Sequence, residues 1–299
     1  MQQHTLFLLH LFSLLPAPTL AHGVVTSVTG ANGVSLPGLS LIDGTPRDCA
    51  SPRCGSEADT SIIRQRELGT SRASALGRTQ GGGPVDAAAM MALFMDGAGG
   101  NSSAVKQARA AHEVIRRGLL DALTGGAGAA GGGGGAGGAG GAKTAKGTVE
   151  TGVKAATGVA ASDGLPTTSD DGTLSLTYHQ VNQDGAGPLT AMVDATSGGT
   201  DPAAFKTTEV TKDVPGLGVG GLSGASTMDF PVEIKMPAGM TCQGSVGGME
   251  GVCVARVQNG ALAGPFGGSV VFTQSAGAKR RAVEYGLAKK RFARGLGRE

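Results

Sequence analysis

From Thr173 to Gln180 the chain alternates: Leu174, Leu176 and Tyr178 are separated by Ser175, Thr177 and His179. A period of two predicts a strand with one buried face, and it puts His179 on the face opposite the leucines. Met228, Phe230, Val232, Ile234 and Met236 form a second alternating set. Pro231 falls among its polar partners, which predicts an edge strand. Val24–Val28, ahead of a turn at Asn32-Gly33, reads as a strand, as do Cys253–Asn259 and Ser269–Gln274. Short strands joined by Gly- and Pro-rich connections predict a mostly β protein, an immunoglobulin-like antiparallel β-sandwich with long loops.

The helical signal is concentrated in one stretch. Val105, Ala108, His112, Ile115, Leu119 and Leu123 recur at three- and four-residue steps, which predicts a helix over Ala104–Leu123 with His112 on its packing stripe. Asn101-Ser102-Ser103 just before it is an N-glycosylation sequon. Ala58–Gly69 is expected to be a short helix with Asp59 near its start. Ala75–Pro84 reads as a long surface loop, and its glycines lack the Lys-Ser/Thr that follows a phosphate cradle.

Composition divides the chain further. Residues 1–21 carry an apolar run through Leu6–Leu15, with Thr19 and Ala21 at the −3 and −1 positions of a cut before His22, the layout of a signal peptide. No later run is apolar enough for a transmembrane helix. Gly125–Gly141 holds only Gly and Ala, which bury too little surface to offset their ordering entropy. We therefore expect one secreted domain over 22–275, interrupted by a flexible insert at about 124–163. Residues 276–299 follow as a basic tail, with eight Lys and Arg from Lys279 to Arg298 against Glu284 and Glu299. The default for that tail is solvation. The absence of Trp and the presence of only two Tyr leave few stacking platforms, so nucleic acid is not an expected partner. Four cysteines in a secreted chain predict two disulfides, and local pairing of Cys49 with Cys54 and Cys242 with Cys253 is the simplest of three connectivities.

Cleavage before His22 would leave a residue that offers two nitrogens, its α-amine and its ring. His179 lies far downstream, in a stretch running from Tyr178 to Pro188. Amine and imidazole nitrogens suit Cu(II), which favours tetragonal N/O coordination, and copper displaces the amine proton at neutral pH. His22 and His179 are thus the candidate metal ligands, with copper as the cofactor. His112 is assigned to packing.

Several separate motifs, in order, resemble the fungal appressorium-associated virulence-factor family: Ala21–Val28, Asp43–Cys49, Ala75–Gln80 and Gly264–Gly268. The resemblance covers most of residues 22–275 and skips the Gly/Ala insert. It implies a secreted protein of infection structures. A more distant resemblance, to lytic polysaccharide monooxygenases, implies a histidine brace made by His22 and by His179 within His179-Gln180-Val181-Asn182. It also implies an axial, non-ligating aromatic, for which Phe266 is the candidate and Phe272 the alternative. Those enzymes carry Gln or Glu two residues before that aromatic, where this chain has Gly264. The expectation is therefore a monomeric virulence or wall-associated protein with a copper site, near cell-wall polysaccharide. It would be either a copper-dependent monooxygenase-like oxidase or a non-catalytic copper- or glycan-binding wall protein.

Overall fold

The computed structural model describes residues 22–96, 140–217 and 220–296. The leader, the helix expected at 104–123 with His112, the Asn101 sequon and most of the Gly/Ala tract lie outside these residues. The described strands are β1 (Gly23–Thr29), β2 (Ser35–Pro37), β3 (Ser61–Ile62), β4 (Arg78–Thr79), β5 (Gly83–Pro84), β6 (Ala142–Lys143) and β7 (Thr173–Gln180). They continue with β8 (Thr190–Asp194), β9 (Lys206–Thr208), β10 (Val210–Lys212), β11 (Met228–Lys235), β12 (Gly244–Val246), β13 (Met249–Gln258) and β14 (Phe266–Phe272). The α-helices are α1 (Ala87–Phe94), α2 (Gly152–Ala155), α3 (Val159–Asp163) and α4 (Ala276–Leu296).

Two antiparallel sheets enclose the core. One runs β10-β11-β7-β1-β2, with β6 added to β11; the other runs β5-β4-β3-β14-β13-β8-β9, with β12 on β13. The alternation along β7 has the expected consequence: Leu174, Leu176 and Tyr178 are buried among Val25, Val28, Phe230, Val232 and Ile234, together with Val257, Val270 and Phe272 of the second sheet. Each such side chain contributes about 1.5–3 kcal/mol on burial. A register shift between Val25 and Ser27 puts both Val25 and Val28 opposite buried residues of β7, Tyr178 and Leu176.

Four local expectations change. Ala58–Gly69 is not a helix; it holds the short strand β3 between turns, because Ile62 pairs with Phe266 on one side and Arg78 on the other. Ala75–Pro84 is more than a surface loop: Ala75 and Leu76 are buried, and β4 and β5 form a small hairpin. Strand β11 lies inside its sheet. Pro231 is nonetheless accommodated, because on the side away from β7 the strand β6 covers only Met228 and Asp229 and β10 covers only Glu233 and Ile234. The fold also has more than one helix. Asp86 caps α1 by accepting from Ala88 and Ala89 N–H groups, an N-cap signal followed by a run of good helix formers.

The stretch assigned to the insert is folded from Gly140 onward. Strand β6 pairs with β11, and Val153 of α2, Ala156 just after it and Ala160 of α3 are buried in the core. The basic tail forms α4. Its first turns dock through Ala278 and Ala282, with Ser275 Oγ accepting from Ala278 N–H, while Val283, Leu287 and Phe292 are exposed. No helix among the described residues is long and apolar enough to cross a membrane.

Both disulfides follow the local pairing, Cys49–Cys54 and Cys242–Cys253. Cys253 is fully buried on β13 and closes a loop with a sequence separation of 11. Replacing Cys242 and Cys253 by Ala is expected to cost about 2–4 kcal/mol. The check is a urea midpoint compared with the Cys49→Ala/Cys54→Ala pair, whose shorter loop constrains the unfolded chain less. Equal midpoints for wild type and the 242/253 variant would refute the expectation.

Candidate metal centre

The site is built at the end of the β1–β7 ladder. Gly23 pairs with Gln180 and Val24 with His179, and the ladder continues one step as Val181 N–H donates to the His22 carbonyl at 3.0 Å. His22 and His179 therefore enter the fold at the same end of the same strand pair, although the sequence separates them widely. Two glycines make this possible. A Cβ at Gly23 would run into the Tyr178 hydroxyl, and one at Gly185 would collide with the His22 carbonyl oxygen. The Tyr178 hydroxyl donates to Gly185 O at 3.1 Å. Gln180 Nε2 donates to Asn182 O, Ser223 Oγ and Ala225 O at 2.7–2.9 Å, which pins the chain beyond β7.

His179 is fully buried on the polar side of β7. Its Nδ1 lies 2.7 Å from Asp229 Oδ1 on the neighbouring β11, where Asp229 is its register partner. Its Nε2 is buried with no hydrogen-bond partner. A carboxylate on one ring nitrogen fixes the ring and its tautomer and leaves the other nitrogen to bind elsewhere, the usual arrangement around metal-ligating histidines. An unpartnered buried nitrogen is otherwise a cost.

His22 is also buried. Its backbone N–H donates to Asn182 Oδ1 at 2.8 Å. Its Nδ1 faces Glu57 Oε1 at 3.0 Å, an ion-pair separation without the alignment of a hydrogen bond, and its Nε2 has no partner. Asn182 Nδ2 donates to the same Glu57 oxygen at 3.2 Å, so His22, Asn182 and Glu57 form one closed group. The Phe266 ring lies 4.2 Å from the His22 ring, tilted by 38°. Asn259 Oδ1 accepts from Phe266 N–H at 3.0 Å, and Arg64 donates to the carbonyls of Ala263 and Gly264, holding the loop that delivers Phe266. Phe272 lies instead in the core, paired with Cys253.

The structure thus brings His22 and Phe266 into contact and places His179 at the same ladder end, tied to its own carboxylate. Sequence reasoning missed Glu57, Asn182 and Asp229 as site residues. Asp229 carried a signal, its place among the polar positions of β11. Asn182 stood in the motif quoted for His179. Glu57 had none, because the turn after Cys54 is brought to His22 by tertiary packing alone. Among the described residues no three His, Cys, Asp or Glu side chains group as a metal site. A site here therefore needs a donor that is not a side chain, and an amine freed at His22 is one. The donor types are ones that would suit copper if His22 were a free terminus: two imidazoles that each keep an unpartnered nitrogen, the nitrogen of His22, and a carboxylate beside each ring.

The Egh16-like virulence factor family is matched by residues 20–267. The chain is 64% identical to the appressoria-specific virulence factor GAS2 of Pyricularia oryzae over 278 residues, covering 92% of this chain and 91% of that relative. It is 29% identical to the appressoria-specific virulence factor GAS1 of the same fungus over 277 residues, covering 91% and 81% of the two chains. No solved structure matches it.

Proposed function

The chain belongs to the Egh16-like virulence factor family, and from that premise we propose that it acts outside the cell, at the wall, with a copper ion held by His22 and His179. The observation that carries this reading is His179: buried, locked through Nδ1 by Asp229, and left with an unpartnered Nε2 at the ladder end where His22, the residue that would begin the mature chain, also lies. His22 would contribute its amine and its ring. Phe266 covers one side of that ring and limits water there. Bound copper supplies one-electron chemistry with dioxygen.

Around it, Asp229 keeps His179 in a single tautomer, and Asn182 and Glu57 hold the His22 backbone and ring. Glu57 also brings a carboxylate to this end from a separate segment, where Gly264 leaves none. That favours an oxidase acting on wall polysaccharide. Gly264 itself favours the second reading, a non-catalytic copper- or glycan-binding wall protein. Sustained peroxide formation by the copper-loaded, reductant-treated protein selects the first, and copper binding without peroxide selects the second.

The amine depends on processing. Protein secreted by the native route is expected to begin at His22, as read by intact mass. A form retaining Ala21 should lose most of its copper affinity, because the amine becomes a peptide nitrogen. A native terminus elsewhere would remove the amine from the ligand set.

A further inference from the structure

A second feature lies on the same face as Asp229. An open cleft of about 430 Å³ is floored by Thr26, Ser27, Ser35 and Thr177 on β1, β2 and β7, and walled by residues 144–159. The volume falls in the range of roughly 300–1,000 Å³ typical of small-molecule sites. Its charges decide what enters. Arg47 is the one lining cation, and all its nitrogens are occupied: Nε and Nη2 donate to Glu150 Oε2, and Nη1 and Nη2 to Asp59. The other Glu150 oxygen accepts from the Thr151 and Gly152 N–H groups. No lining cation is left for an anionic ligand. Asp229 remains, two-fifths exposed, with Oδ1 on His179 and Oδ2 free to accept.

The remaining lining is hydroxyl. Ser27 and Thr177 make no side-chain hydrogen bond among the described residues, and Thr144 Oγ1 is buried without a partner. No aromatic side chain lines the cleft. We propose that this cleft binds a neutral carbohydrate unit, held by hydrogen bonds from Ser27, Thr144, Thr177 and Asp229 rather than by ring stacking. Hydroxyls both donate and accept, as sugar hydroxyls do, and a single free carboxylate oxygen takes a further sugar hydroxyl while rejecting acidic sugars. The proposal rests on the wall-carbohydrate part of the reading above and not on copper.

The test uses the mature protein stripped of copper, titrated by calorimetry with cellotetraose and chitotetraose, and with polygalacturonate as the anionic probe. Saturable binding of a neutral tetrasaccharide is expected, weakened about tenfold or more in Ser27→Ala/Thr177→Val. The urea midpoint of that variant should stay at the wild-type value, which shows that it folds and keeps this result separate from the fate of the copper site. The proposal is overturned if no neutral tetrasaccharide binds, if polygalacturonate binds more tightly, or if the double substitution leaves sugar binding unchanged.

Discussion

His179→Ala is expected to lower copper affinity by at least roughly 100-fold while the protein stays folded. Mutating the partners that merely orient a ligand costs about 10–100-fold, so loss of a ligand itself should cost no less. His179 is the only imidazole donor that β7 supplies, and Asp229 has no second ring to orient. Folding should survive because the residue faces away from Leu174, Leu176 and Tyr178, and the substitution removes one hydrogen bond, worth about 1 kcal/mol or somewhat more if charged. Calorimetric titration gives the affinity, and electron paramagnetic resonance counts the nitrogens, which should fall by one. His112→Ala, at a position outside the described residues, serves as the packing control and should leave affinity unchanged. Equal affinity in wild type and His179→Ala would end the copper reading.

Arg47→Met is expected to destabilise the fold by about 3–5 kcal/mol. Arg47 is 4% exposed and Asp59 is fully buried. The guanidinium meets Asp59 through two bonds, at 3.0 and 2.6 Å, and Glu150 at 3.1 and 2.7 Å. Burial by itself would lower its pKa, but the Asp59 and Glu150 carboxylates outweigh that and hold it above the ordinary arginine value. Removing the cation leaves two carboxylates facing each other with little water, which is the expensive way to break a buried pair. The group also joins chain segments from either side of the Gly/Ala tract. Gly44 and Arg47 N–H groups donate to Glu150 and Thr148 carbonyls, and the Glu150 N–H returns to Thr45 O. Arg47→Lys should recover only part of the loss, because an ammonium cannot reproduce the two-carboxylate fork. Urea denaturation at constant slope measures both. A loss below about 1 kcal/mol for Arg47→Met would show that the ion group is not what anchors Asp43–Cys49.

The structure-forming information that can be read in the sequence is the information carried by neighbours in sequence. The two-residue period of Leu174-Leu176-Tyr178 determines both the strand and the side on which His179 lies, since successive side chains of a strand must point to opposite faces. The same holds for the buried face of β11, and the local disulfides follow from the short separation of their cysteines in sequence. Where the deciding contacts come from far away, the sequence is silent or misleading. Ala58–Gly69 has an acceptable helix pattern, yet Ile62 is claimed by Phe266 and Arg78, and pairing within a sheet outweighs a weak local preference. Pro231 reads as an edge signal, yet β11 lies inside its sheet; the proline is tolerated because β6 and β10 leave a gap beside it, a property of those strands rather than of β11. Residues 140–163 look like a continuation of a Gly/Ala tract, but three small apolar side chains, Val153, Ala156 and Ala160, find a core supplied by other segments. At the site, the two histidines and Phe266 were legible as types in motifs. The tertiary structure alone decided that Phe266 rather than Phe272 meets His22, that Asp229 takes one nitrogen of His179, and that Glu57 and Asn182 close around His22, because each of these contacts joins segments that no local period relates.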